Sequence, residues 1–231
     1  MDEYDIDPKE GVYGWATRHV VVARRITDYK FSSLQEMSVL FQTIIANINP
    51  AVPIELQSVR DICDREYGIG RLGDTKERQK LYRLLIEAVP GERIPWHRLI
   101  RELLSEENLE ETEYVIRNAE KSVGSDTPID RYRVRLLLSR AQKTLKISTG
   151  DRVAMLRRAY EMASRNTEKH KWDKLSYFTL CDVAVQLVQR GENKYVLEEA
   201  IDKLKTAYNT ILDPEMPRKI RDYQDALDRI L

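Results

Sequence analysis

Between Arg131 and Arg158 the chain carries Arg131, Arg133, Arg135, Arg140, Lys143, Lys146, Arg152, Arg157 and Arg158 against a single acid, Asp151. Cations at that density, with Tyr132 and Tyr160 among them, can track a phosphate backbone. The segment just before has the opposite sign: Glu106, Glu107, Glu110, Glu111, Glu113 and Glu120 against Arg117. If the two segments form a helical hairpin, these charges face one another and much of the field cancels. Internal complementarity is the expectation, and a nucleic-acid surface built on Arg131, Arg133, Arg135, Arg140, Lys143, Arg157 and Arg158 is the alternative.

A second concentration joins Lys169, His170 and Lys171 to Trp172, Tyr177 and Phe178. Exposed aromatics are favoured anchors for protein partners, which makes Trp172, Tyr177 and Lys171 the candidate protein-binding residues. The same aromatics at helical spacing also suit a buried seam between neighbouring helices, and the seam is the expected role.

Catalytic and ligand motifs are scarce. Gly68, Gly70 and Gly73 have the spacing G-x-G-x-x-G, which binds dinucleotides when a strand precedes it and a helix follows. Here the preceding "SVRDICDREY" is helical by period, so a helix stop, a loop and a capped helix start account for the same letters. His19, His97 and His170 lie in separate segments with no ligand spacing. Cys63 and Cys181 are far apart, and both are expected to be buried and reduced. No enzyme active site, metal or cofactor is expected.

The elements around these residues read as helices. Ser33 and Glu36 have capping-box spacing ahead of a stripe of Leu34, Met37, Phe41, Ile44 and Ile48. Pro53 opens a helix that presents Leu56, Val59, Ile62 and Cys63 inward. Asp74 and Glu77 box the next, with Leu81, Leu84, Leu85 and Ala88 as its stripe, and "IPWHRLIRELL" follows. From Glu107 a string of helices begins, marked by Thr112, Ile116 and Ala119; by Val134, Leu138 and Ala141; by Val153, Leu156 and Ala163; by Tyr177, Cys181 and Val188, in a helix read from Glu168 to Arg190; by Leu197, Ile201 and Leu204; and by Ile220, Tyr223 and Leu227. "VIRNAEKSV", "MLRRAYEMA" and "IDKLKTAYNTI" are faintly alike, with alanines at 119, 159 and 207. No pair of strands is predicted.

These patterns predict an all-α protein: a helical unit over 1–105, then stacked antiparallel helical hairpins over 106–231, a tetratricopeptide-like solenoid with a plain helical bundle as the alternative. Nine glycines and eight prolines in 231 residues are few for an all-β fold. Lys+Arg and Asp+Glu balance at 38 each, so no global field points to nucleic acid or a membrane. The acidic start, "MDEYDIDPKE", lacks the layout of a secretory signal, and a cytoplasmic location is expected.

"YGWATRHVVVARRI" is read as helical from Thr17, with Trp15, His19, Val22, Ile26 and Tyr29 on one line. Through Trp15, Thr17, Arg18, His19 and Ala23, and through the order of elements after them, the chain resembles the region that follows the nucleotide-binding module of STAND-type signalling NTPases. The resemblance implies a winged-helix-like unit leading into sensor repeats that recognise a protein ligand, such as a phage or pathogen component. It also implies that Arg18 and His19 lie near a nucleotide module. Walker motifs are absent from this sequence, so the resemblance is to the sensor part alone. The functional expectation is a non-catalytic module for a protein or peptide ligand, with no membrane partner.

Overall fold

In "DEYDID" the apolar Tyr4 and Ile6 alternate with acids, and "VYGWA" is rich in β-branched and aromatic residues, two patterns that suit extended chain. The computed structural model describes residues 2–7, 12–16, 33–143 and 148–230, with side chains from residue 33 onward apart from Ile54. It opens with an antiparallel hairpin of β1 (Asp2–Asp7) and β2 (Val12–Ala16), paired from Asp2 opposite Ala16 to Asp7 opposite Val12. This corrects the expectation that no strand pair exists, and it places Trp15 in a strand rather than on a helical line. Arg18, His19 and the rest of the helix read from Thr17 lie outside the described residues.

The rest of the described chain is helical: α1 (Leu34–Ala46), α2 (Pro53–Ile62), α3 (Thr75–Ala88), α4 (Arg93–Ser105), α5 (Leu109–Val123), α6 (Thr127–Lys143), α7 (Thr149–Lys169), α8 (Lys174–Val188), α9 (Tyr195–Ile211) and α10 (Met216–Ile230). It divides into two compact units, Met1–Glu102 and Leu103–Leu231.

In the first unit Ser33 and Glu36 form the capping box their spacing predicts. Met37, Phe41 and Ile45 are buried, whereas Leu34 is exposed and Ile44 only half-buried, so the inward stripe is rotated from the one read in sequence. Asp74 caps α3 by accepting from the Lys76 amide at 2.8 Å. Glu77 does not complete that box: its carboxylate accepts from Ser38 Oγ at 2.5 Å and Gln42 Nε2 at 3.2 Å, pinning α3 to α1. Arg78 donates to the Leu72 carbonyl and to Glu102, binding the loop before α3 to α4.

In the second unit each helix packs on the next, and α6 also packs on α8 and α8 on α10. The ion pairs give the directions. Along α6, Arg133, Arg140 and Lys143 meet Glu120, Glu113 and Glu107 in turn, so numbering rises on one helix as it falls on the other, and α5 and α6 are antiparallel. Between α7 and α9 the numbering rises together: Tyr160 Oη donates to the Val196 carbonyl and Lys203 Nζ to Ser164 Oγ. Neighbours that alternate in direction, with helices two apart running parallel, are the arrangement of stacked hairpins. Ala119, Ala159 and Ala207, the alanines of the faint repeat, are buried on α5, α7 and α9, where small side chains let the next helix approach closely. The core centres on α8, which buries Tyr177, Phe178, Leu180, Cys181, Val183, Ala184 and Leu187. α8 is therefore apolar on most of its circumference, as befits a helix with neighbours on several sides.

Candidate protein-binding groove

The basic run turns largely inward upon the chain's own acids. Arg133 pairs with Glu120; Arg140 donates to Glu113 at 2.5 Å; Lys143 reaches Glu107 at 2.9 Å. Arg131 crosses to α8 and donates to both oxygens of Asp173 at 2.6 Å, and Arg157 donates to Glu192. Arg117 and Arg140 together hold the Glu113 carboxyl below the ordinary glutamate range. Of the residues named for a nucleic-acid surface, Arg135 and Arg158 form no ion pair among the described residues; Lys146 lies outside them.

Two of the three glycines, Gly68 and Gly70, perform a local backbone task. They enter and occupy a short 3₁₀ turn (Ile69–Arg71), and the element that leads into them is the helix α2 rather than a strand. A Cβ on Gly68 would sit 2.0 Å from the Ile62 carbonyl oxygen, and one on Gly70 2.5 Å from Arg65 Cα. Backbone crowding, rather than a phosphate, requires glycine here.

Thr127, His170 and Asp130 form a relay: Thr127 Oγ1 lies 3.0 Å from His170 Nδ1, and His170 Nε2 lies 2.8 Å from Asp130 Oδ2. A hydroxyl, an imidazole and a carboxylate in series are the parts of a nucleophilic triad. Asp130 also accepts from Lys169 at 2.8 Å and Ser125 at 2.5 Å, and the three cavities described in the protein are lined by none of these residues. The relay clasps the start of α6 to the end of α7. Among the described residues no cluster of three or more His, Cys, Asp or Glu could hold a metal, and no helix is long and apolar enough to cross a membrane.

The aromatic cluster divides in two. α7 ends at Lys169 and α8 begins at Lys174, so Lys171 and Trp172 stand on the connecting loop rather than inside one helix read from Glu168 to Arg190. Tyr177 and Phe178 are buried, the seam that was expected; Trp172 is 73% exposed, and the seam reading fails for it. The loop is held from several sides. Tyr177 Oη donates to the Lys171 carbonyl at 3.3 Å and the Thr167 carbonyl at 3.4 Å, and burial pushes this phenol upward in pKa. Asp173 caps α8 through the Ser176 amide at 3.0 Å while it receives Arg131. Lys174 Nζ spans to Asp213 at 2.8 Å and Glu215 at 2.9 Å on the connection between α9 and α10, and holds the Asp213 carboxyl below its ordinary range.

Beside this loop a groove of about 840 Å³ runs along α9, bounded by Thr167, Glu168, Lys171 and Trp172 on one side, with Tyr177 also in its lining. The α9 wall is one helical face: Tyr195, Glu198, Asp202, Thr206 and Thr210 recur at three- and four-residue spacing. The fifteen steps from Tyr195 to Thr210 make this wall about 22 Å long. Tyr195 is 67% exposed. Because Lys174 ties the Trp172 loop to the connection after α9, Trp172 marks the end of the groove near Thr210, and Tyr195 marks the other end. All three residues named from sequence, Trp172, Tyr177 and Lys171, line this groove. Tyr195, Glu198 and Asp202 were missed; the signal was an exposed tyrosine heading the polar face opposite Leu197, Ile201 and Leu204.

No protein-family model matches the chain, and no curated protein matches it.

Proposed function

We propose that this chain is a non-catalytic protein-binding module, of sensor or scaffold type, that holds a segment of a partner polypeptide in the groove along α9. The observation that carries the reading is the pair of exposed aromatics, Trp172 and Tyr195, at the two ends of a concave surface with firmly tethered walls. A large aromatic held in water by a braced loop is ready to be desolvated by a partner, and such residues dominate interface energetics. Short ties such as Asp173–Arg131 and Lys174–Asp213 limit the ordering that binding must supply. Membership of a larger STAND-type signalling or defence protein is the assembly that the resemblance of the Gly14–Ile26 stretch supports, with the groove as its ligand-recognising part. The balanced ion pairing of α6 favours protein over nucleic acid as the partner.

Site-specific photo-crosslinking tests the proposal. A photoreactive phenylalanine analogue at Thr206, inside the groove, is compared with one at Arg221, on α10. The expected result is one discrete polypeptide captured from Thr206 in native extract, resistant to nuclease and lost with Trp172→Ala. Equal capture from both positions, or capture that nuclease removes, overturns it.

A further inference from the structure

We infer that the segment received by this groove is cationic: an amphipathic stretch of about three to four turns whose lysine or arginine side chains lie over Glu198 and Asp202 and whose apolar end meets Trp172. The inference rests on the binding reading above and names the chemistry of its ligand. The groove lining holds four acids, Glu168, Glu198, Glu199 and Asp202, against two lysines, Lys171 and Lys203, a surplus of two negative charges in a chain that is neutral as a whole. The lysines do not cancel the surplus evenly. Lys203 is engaged by Glu199 at 2.9 Å and by Ser164 Oγ at 2.9 Å, and Lys171 stands on the loop beside Trp172. Glu168 forms no ion pair among the described residues.

The remaining carboxylates are only loosely paired. Glu198 meets Lys194, the residue just before α9, at 3.5 Å and Asp202 meets Lys205 at 3.4 Å, both pairs local and at least partly open to solvent. Exposed pairs of that kind contribute little to stability and exchange readily for a better placed cation. The α9 wall is graded along its length, while Glu168 and Lys171, of opposite charge, lie at the Trp172 end of the lining. Tyr195 and the acids occupy the first half of the α9 wall; Thr206, Ala207 and Thr210 occupy the half that approaches Trp172. A cation crossing the first half meets carboxylates, and Tyr195 adds a π face that attracts the same charge. An apolar side chain reaching the second half meets the indole. The wall of about 22 Å matches an amphipathic helix of roughly 14 residues laid in a groove.

The experiment uses the full chain and three 14-residue peptides that share one Leu/Phe face and differ only in flanking residues: lysine, glutamine or glutamate. Affinities are read by fluorescence anisotropy at low and high salt. The lysine peptide is expected to bind at least about tenfold more tightly than the glutamate peptide, and the gap is expected to narrow with salt. A chain carrying Glu198→Lys and Asp202→Lys, checked by circular dichroism for an unchanged fold, is expected to reverse the order. Equal affinity of the lysine and glutamate peptides overturns the cationic ligand and leaves the groove reading standing. Binding that is insensitive to Trp172→Ala, or no binding by any of the three, overturns both.

Discussion

Trp172→Ala separates a binding anchor from a packing residue. The side chain is 73% exposed and accepts no hydrogen-bonding duty from its neighbours, so its removal leaves no cavity. The change in unfolding free energy is expected to stay within about 0.5 kcal/mol, the ordinary range for surface substitutions. Binding responds differently. An indole buries on the order of 200 Å² when fully covered, and a ligand that covers about half of the surface still exposed removes roughly 80 Å² from water. At about 25 cal/mol/Å² this is on the order of 2 kcal/mol, or roughly thirtyfold in Kd. The assay pairs urea unfolding, followed by circular dichroism, with anisotropy titration of the lysine peptide. Loss of more than about 2 kcal/mol of stability, or an unchanged Kd, refutes the reasoning, because either result gives Trp172 a role other than the one its exposure assigns.

Gly68→Ala is expected to destabilise the first unit by several kcal/mol, because the added methyl overlaps the Ile62 carbonyl at 2.0 Å; Gly91→Ala, with open space around it, is the control, and urea midpoints report both. Glu113 has its carboxyl held down by Arg117 and Arg140, so its stabilising contribution is present above the ordinary glutamate pKa and is lost as pH falls through the lowered folded value. Glu113→Gln is therefore expected to lower the urea midpoint at pH 7 and to converge with the parent near pH 3. Burial pushes the Cys63 thiol up to about 12 and raises that of Cys181 as well, so iodoacetamide at pH 8.5 is expected to label neither in the native chain and both in urea; rapid native labelling contradicts their burial.

Helix boundaries and the hairpin stack were largely legible in sequence because caps and apolar stripes act locally. Ser33–Glu36, Asp74 and the buried alanines at 119, 159 and 207 sit where their letters indicated. The charge complementarity of α5 and α6 was legible for the same reason, since a hairpin brings consecutive runs of opposite sign together, although Arg131 and Arg157 find their acids, Asp173 and Glu192, farther along the chain. What escaped depended on partners remote in the chain. The β1–β2 hairpin was missed because its strands are only six and five residues long and no two-residue turn sequence announces it. Glu77 looked like half of a capping box until Ser38 and Gln42 came into reach across a tertiary contact. Trp172 and Tyr177 share a cluster in sequence, yet the break at residues 170–173 turns one outward and buries the other. Tyr195 gained meaning only when α7 and α9 ran parallel and set it at the far end of the groove.

The most direct test is an amide NMR titration of the full chain with the lysine peptide. Perturbations confined to residues 167–172 and to the Tyr195, Glu198, Asp202 and Thr206 face of α9, with α10 unchanged, are the predicted result. Perturbations centred instead on Arg135 and Arg158 would contradict the account.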